Sequence, residues 1–64
     1  MYQGKYMTYE EGFLNKEDII RIAKFLKENE TADIDIVPEL EQVIITVYGT
    51  KKDFDNFEKI YWED

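Results

Sequence analysis

Apolar residues recur along this chain with two spacings, every second position and every third or fourth, and the changes of spacing mark five elements. Residues Tyr2 to Glu10 alternate loosely and are rich in Tyr, Thr and Met, which predicts a first strand ending before Gly12. Tyr6 and Thr8 share one of its sides and Met7 and Tyr9 the other, so its facing stays open. "LNKEDIIRIAKFLKENE" predicts a helix: Asn15 is a good N-cap, Glu17 and Asp18 place negative charge in the first turn, and Leu14 can staple onto Ile19. Ile19, Ile22, Ala23 and Leu26 form the expected inward stripe, widened by Ile20 and Phe25, with the helix ending near Glu28 to Glu30. "ADIDIVP" alternates cleanly, Ile34 and Ile36 against Asp33 and Asp35, and closes on Pro38 as edge strands do. A short loop from Pro38 to Gln42 makes a hairpin with "EQVIITVYG". The last helix starts at "GTKKDF", with Thr50 as N-cap and Asp53 completing a capping box. Phe54, Phe57 and Tyr61 form its inward stripe, flanked by Ile60 and Trp62.

The predicted order is therefore βαββα, a single small α+β domain over residues 1–64. "EQVIITVYG" carries Val43, Ile45 and Val47 on one side and Ile44, Thr46 and Tyr48 on the other, so both its faces ask for cover and it belongs in the centre. That places the strands in the order 1-3-2, a mixed sheet with the first strand parallel to the third and both helices on one face. A meander, 1-2-3, would instead bury Asp33 and Asp35 on a central strand. Two helices cover one face of such a sheet and leave the other open. Ile44, Thr46 and Tyr48, with Val37 and Tyr6, are the residues expected there, and an apolar face of this kind marks an interface.

Composition narrows the chemistry. Folding buries only about 60% of the exposed surface of a chain this short, so small domains often rely on disulfides, a metal or a second subunit. Cysteine, histidine and serine are all absent, which removes disulfides, the common zinc ligands and the serine, cysteine and histidine hydrolase arrangements. Subunit association is the remaining device, and a homodimer through the open sheet face is the expectation. Carboxylates alone could serve glycoside hydrolysis, but that needs a deep cleft that a domain of this size rarely builds, so no enzyme and no cofactor are expected. "DIDIVPELE" could offer oxygen ligands to a hard cation, yet it lacks the loop and glycine of an EF-hand and reads better as an edge guarded by charge. No apolar run is long enough to span a bilayer and the N-terminus lacks the apolar centre of a signal peptide, so a soluble, cytoplasmic protein with no membrane role is expected.

The helix, strand, strand, helix order with "VIITVYGTKKDFDNFEKI" resembles the second half of a KH-type RNA-binding domain, in which a strand ends in Gly-Thr before a closing helix. The likeness spans roughly residues 19 to 61 and rests on hydrophobic spacing plus Gly49 and Thr50. It implies, as the alternative function, a single-stranded nucleic-acid binder. The GxxG loop that clamps the backbone in that family is missing: "GFLN", Gly12 to Asn15, lacks the second glycine.

Charge points elsewhere. There are 15 acidic and 8 basic residues, a net charge of -7, which repels nucleic acid and anionic membranes and attracts basic surfaces. From Glu28 to Gln42 the chain has six carboxylates and no base. Asp33, Asp35, Glu39 and Glu41, with Asp53 and Asp55 from the last helix, form the expected partner-binding acidic strip. The function expected from sequence is a non-catalytic acidic interaction module, homodimeric, that engages a basic protein. Its sharpest form is an inhibitor or regulator of nucleic-acid-handling proteins, of the kind phages and mobile elements encode, whose carboxylates imitate DNA phosphates.

Overall fold

The computed structural model describes residues 4–62. The elements are β1 (Gly4–Glu11), α1 (Lys16–Glu28), β2 (Asp33–Pro38), β3 (Gln42–Gly49) and α2 (Lys51–Trp62), the βαββα succession expected from the spacing. The expected strand start at Tyr2 lies outside the described residues.

The sheet runs β1-β3-β2, with β3 central as its two apolar faces require. The orientation of β1 corrects the sequence reading: β1 is antiparallel to β3, not parallel, and the sheet is antiparallel throughout rather than mixed. The reason is topological. The hairpin reverses the chain between β2 and β3, while the crossover through α1 returns it in the same sense, so β1 matches β2 and opposes β3.

Side-chain parity decides which residues enter the core. Val43, Ile45 and Val47 turn inward beneath the helices and are at most 3% exposed. They meet Ile22 and Phe25 of α1, Ala32, and Phe57 and Tyr61 of α2 in one hydrophobic core. Phe57 is its pivot, edge-on to Phe25 at 5.4 Å between ring centroids and stacked on Tyr61 at 5.1 Å.

Both helices begin with reciprocal caps. Asn15 Oδ1 accepts from the Asp18 N–H at 2.8 Å while Asp18 Oδ2 accepts from the Asn15 N–H at 3.0 Å. At α2, Thr50 Oγ1 accepts from the Asp53 N–H at 3.1 Å and Asp53 Oδ2 from the Thr50 N–H at 2.9 Å. This second cap explains Gly49. A Cβ there would stand 2.5 Å from Asp53 Oδ2, so any larger residue would push the cap apart.

The roll of α1 differs from the expected stripe. Asp18, Ile22 and Phe25 are buried, whereas Ile19 and Ile20 are more than half exposed and Ala23 faces solvent. Two overlapping stripes share Ile22, and the aromatic contact of Phe25 with Phe57 selects the one that turns Ile19 out. Polar ties hold that roll: Asn56 Nδ2 donates to Asn29 Oδ1 at 3.2 Å, and the Arg21 guanidinium reaches the Tyr61 carbonyl.

Candidate interaction surface

Directly opposed residues of an antiparallel sheet share a face, so the strand register maps the side away from the helices. Three rows cross it from β1 through β3 to β2: Lys5, Tyr48, Asp33; then Met7, Thr46, Asp35; then Tyr9, Ile44, Val37. Met7 is 47% exposed, Tyr9 53% and Val37 41%, while Ile44 and Tyr48 are half-buried. Thr46, set between Met7 and Asp35 in the register, is only 4% exposed. An apolar row of Tyr9, Ile44 and Val37 is thus joined to Met7 and Tyr48, with Asp33 and Asp35 on one border and Lys5 on the other.

Ile44, Thr46, Tyr48 and Val37 lie on this face together. Tyr6 does not, which corrects the sequence reading. Its parity turns it to the helix side, where its ring stacks on Phe54 at 5.0 Å. Met7 and Tyr9 take its place on the open face. Their signal was present in the sequence: Lys5 and Glu11 share their parity, and two charged ends favour the wetter side.

The six carboxylates of the expected acidic strip do not form one surface. Asp33 and Asp35 project from the open face, and Glu39 and Glu41 sit in the β2–β3 turn, which the Glu39 N–H closes onto the Gln42 carbonyl at 2.7 Å. Asp53 and Asp55 belong to the helix layer on the other side of the sheet. Asp53 is held in the α2 cap, and Asp55 accepts from the Lys51 ammonium at 2.7 Å, a bond that raises the Lys51 pKa above its ordinary value. A strip across strand and helix needs both layers to face one way, and the sheet separates them.

The "GFLN" stretch is occupied with local structure. Gly12 adopts φ of 76° and its N–H extends the sheet by donating to the Glu41 carbonyl at 2.9 Å, while Asn15 caps α1. Phe13 stands out at 80% exposure. The N–H groups at the two ends of the stretch, Gly12 and Asn15, are thus already bonded within the fold. Among the described residues no group of three or more acidic side chains lies close enough to hold a metal ion, and no helix is long and apolar enough to cross a membrane.

On the helix side, the Tyr61 hydroxyl is buried beside the Glu10 carboxylate. Burial first, and the nearby Glu10 charge second, push the Tyr61 phenol well above its ordinary pKa. No protein-family model, curated protein or solved structure matches this chain, so its reading rests on the surface just described.

Proposed function

We propose that this protein is a non-catalytic interaction module that docks the open face of its sheet onto another protein, one bearing an apolar patch bordered by basic side chains. The observation that carries this reading is the joined set of Tyr9, Ile44, Val37 and Met7 on a face that none of the described elements covers. Asp33 and Asp35 on its β2 border supply the preference for a basic rim, and the net charge of -7 steers such a partner toward the molecule. The lack of serine, cysteine and histidine supports a role without catalysis. We take the setting to be the cytoplasm. Imitation of nucleic-acid phosphates is the narrower version, and it now rests on Asp33, Asp35, Glu39 and Glu41 alone.

The test is affinity capture from a cell lysate with the wild-type chain, Ile44→Arg, and Asp33→Lys with Asp35→Lys, each checked for native circular dichroism. The expected result is a retained protein that Ile44→Arg loses. The aspartate pair should weaken binding by about tenfold, less so as salt rises. Retention indifferent to Ile44→Arg would remove the sheet face from the reading.

A further inference from the structure

Both outer edges of a three-stranded sheet carry unpaired backbone groups, and the two edges here differ. The Gly12 N–H bond to the Glu41 carbonyl continues the β1–β3 ladder, which fixes its alternation. Glu10, Thr8, Tyr6 and Gly4 exchange bonds with β3, and the N–H and C=O groups of Lys5, Met7, Tyr9 and Glu11 point away from the sheet. On β2 the Glu39 N–H bond to Gln42 sets the opposite parity, so Ile34, Ile36 and Pro38 point outward. That edge is blocked. The Asp33 carboxylate takes the Ile34 N–H at 2.8 Å, and Pro38 has no N–H to offer. Among the described residues the β1 edge has neither guard.

We propose that β1 pairs with β1 of a second copy, antiparallel, about a twofold axis at Thr8, joining two sheets into one of six strands. Backbone parity requires Lys5, Met7, Tyr9 and Glu11 of one copy to bond with the same set in the other. Centred on Thr8, Lys5 stands opposite Glu11 of the second copy and Met7 opposite Tyr9, so each copy contributes one ion pair and one apolar pair. Thr8 meets Thr8, and all four outward residues find partners. Centring on Met7 sets Lys5 against Tyr9 and leaves Glu11 outside the β1 overlap, and centring on Tyr9 sets Met7 against Glu11. Only one register is self-complementary in charge as well as polarity.

The helix layer agrees. Asn56 and the Tyr61 carbonyl turn toward α1, so the opposite flank of α2, with Trp62 48% exposed, lies on the side of the free β1 edge. The α2 helix of a second copy arrives on that side and covers the indole. This pairing uses the strand edge and engages the open face only at its Met7 and Tyr9 border, so it does not rest on the docking reading above and is separable from it at Ile44.

The experiment uses the full chain. Light scattering after gel filtration, over a range of concentrations, should give twice 7.7 kDa. The charge reversals Lys5→Glu and Glu11→Lys should each weaken the dimer by about tenfold, since each places like charges opposite one another twice, and the double variant should restore it. Thr8→Cys, the only thiol in such a chain, should oxidise to a covalent dimer, because non-hydrogen-bonded opposed positions bring Cβ atoms within about 5 Å. Trp62 emission, from the only tryptophan, should shift to the red on dilution. A mass of 7.7 kDa at every concentration overturns the proposal. So does a dimer that ignores Lys5→Glu and dissociates with Ile44→Arg, which would assign the contact to the sheet face.

Discussion

Tyr61 shows how one side chain couples packing to pH. Its ring is 2% exposed, stacked on Phe57, and its hydroxyl sits beside the Glu10 carboxylate. Ionising it in place would bury a second negative charge beside Glu10, so the folded-state pKa lies above the ordinary 10.0. The unfolded chain, titrating near that ordinary value, loses the proton first. The contribution to stability is complete below it and is lost as pH rises through it toward the folded-state value. Urea unfolding between about pH 8 and pH 11 should therefore show stability falling above about pH 10. Tyr61→Phe should flatten that fall, and an unchanged slope would place its cause elsewhere.

At the scale of elements, α1 separates what pattern can and cannot decide. Its extent and cap were legible: Asn15, the acidic first turn and the apolar spacing all predict a helix where one forms. Its roll was not, because Ile19 and Phe25 compete for the core from stripes that share Ile22, and helical spacing ranks neither. The decision comes from Phe57 on α2, which accepts the Phe25 ring edge-on. Two substitutions of the same kind should then differ sharply. Ile22→Ala, at a site 6% exposed, should cost about 2–4 kcal/mol, whereas Ile19→Ala should change stability by less than about 0.5 kcal/mol. Equal losses in denaturant unfolding would restore the stripe through Ile19. The orientation of β1 has a similar cause. Periodicity is blind to strand direction, and only the combination of hairpin and crossover settles it.

At the scale of the whole molecule, net charge and size set the response to salt. The described fold measures 31 × 21 × 15 Å, so at an ionic strength of about 0.01 M, where the screening length is about 30 Å, the carboxylates repel one another across the entire protein. At about 0.1 M the screening length of about 10 Å confines that repulsion to neighbours. With a charge of -7, the thermal midpoint should rise by a few degrees over this range, about 1 kcal/mol of relieved self-repulsion. A midpoint that falls would show that local ion pairs outweigh the net charge.

The sequence by itself determined the succession of elements, the central place of β3, the Asn15 N-cap, the α2 capping box and a sheet face that the described elements leave open. Each follows from interactions between residues close along the chain, or from the demand that apolar strand faces be buried. Tertiary structure decided strand direction, the roll of α1 and which residues of different elements share a surface. Tyr6 and Met7 are adjacent in sequence and fall on opposite faces, and Asp35 on the open face is divided by the sheet from Asp53, whose carboxylate is held in the α2 cap. Whether two side chains share a surface depends on register and layer, and these arise only when distant segments pack.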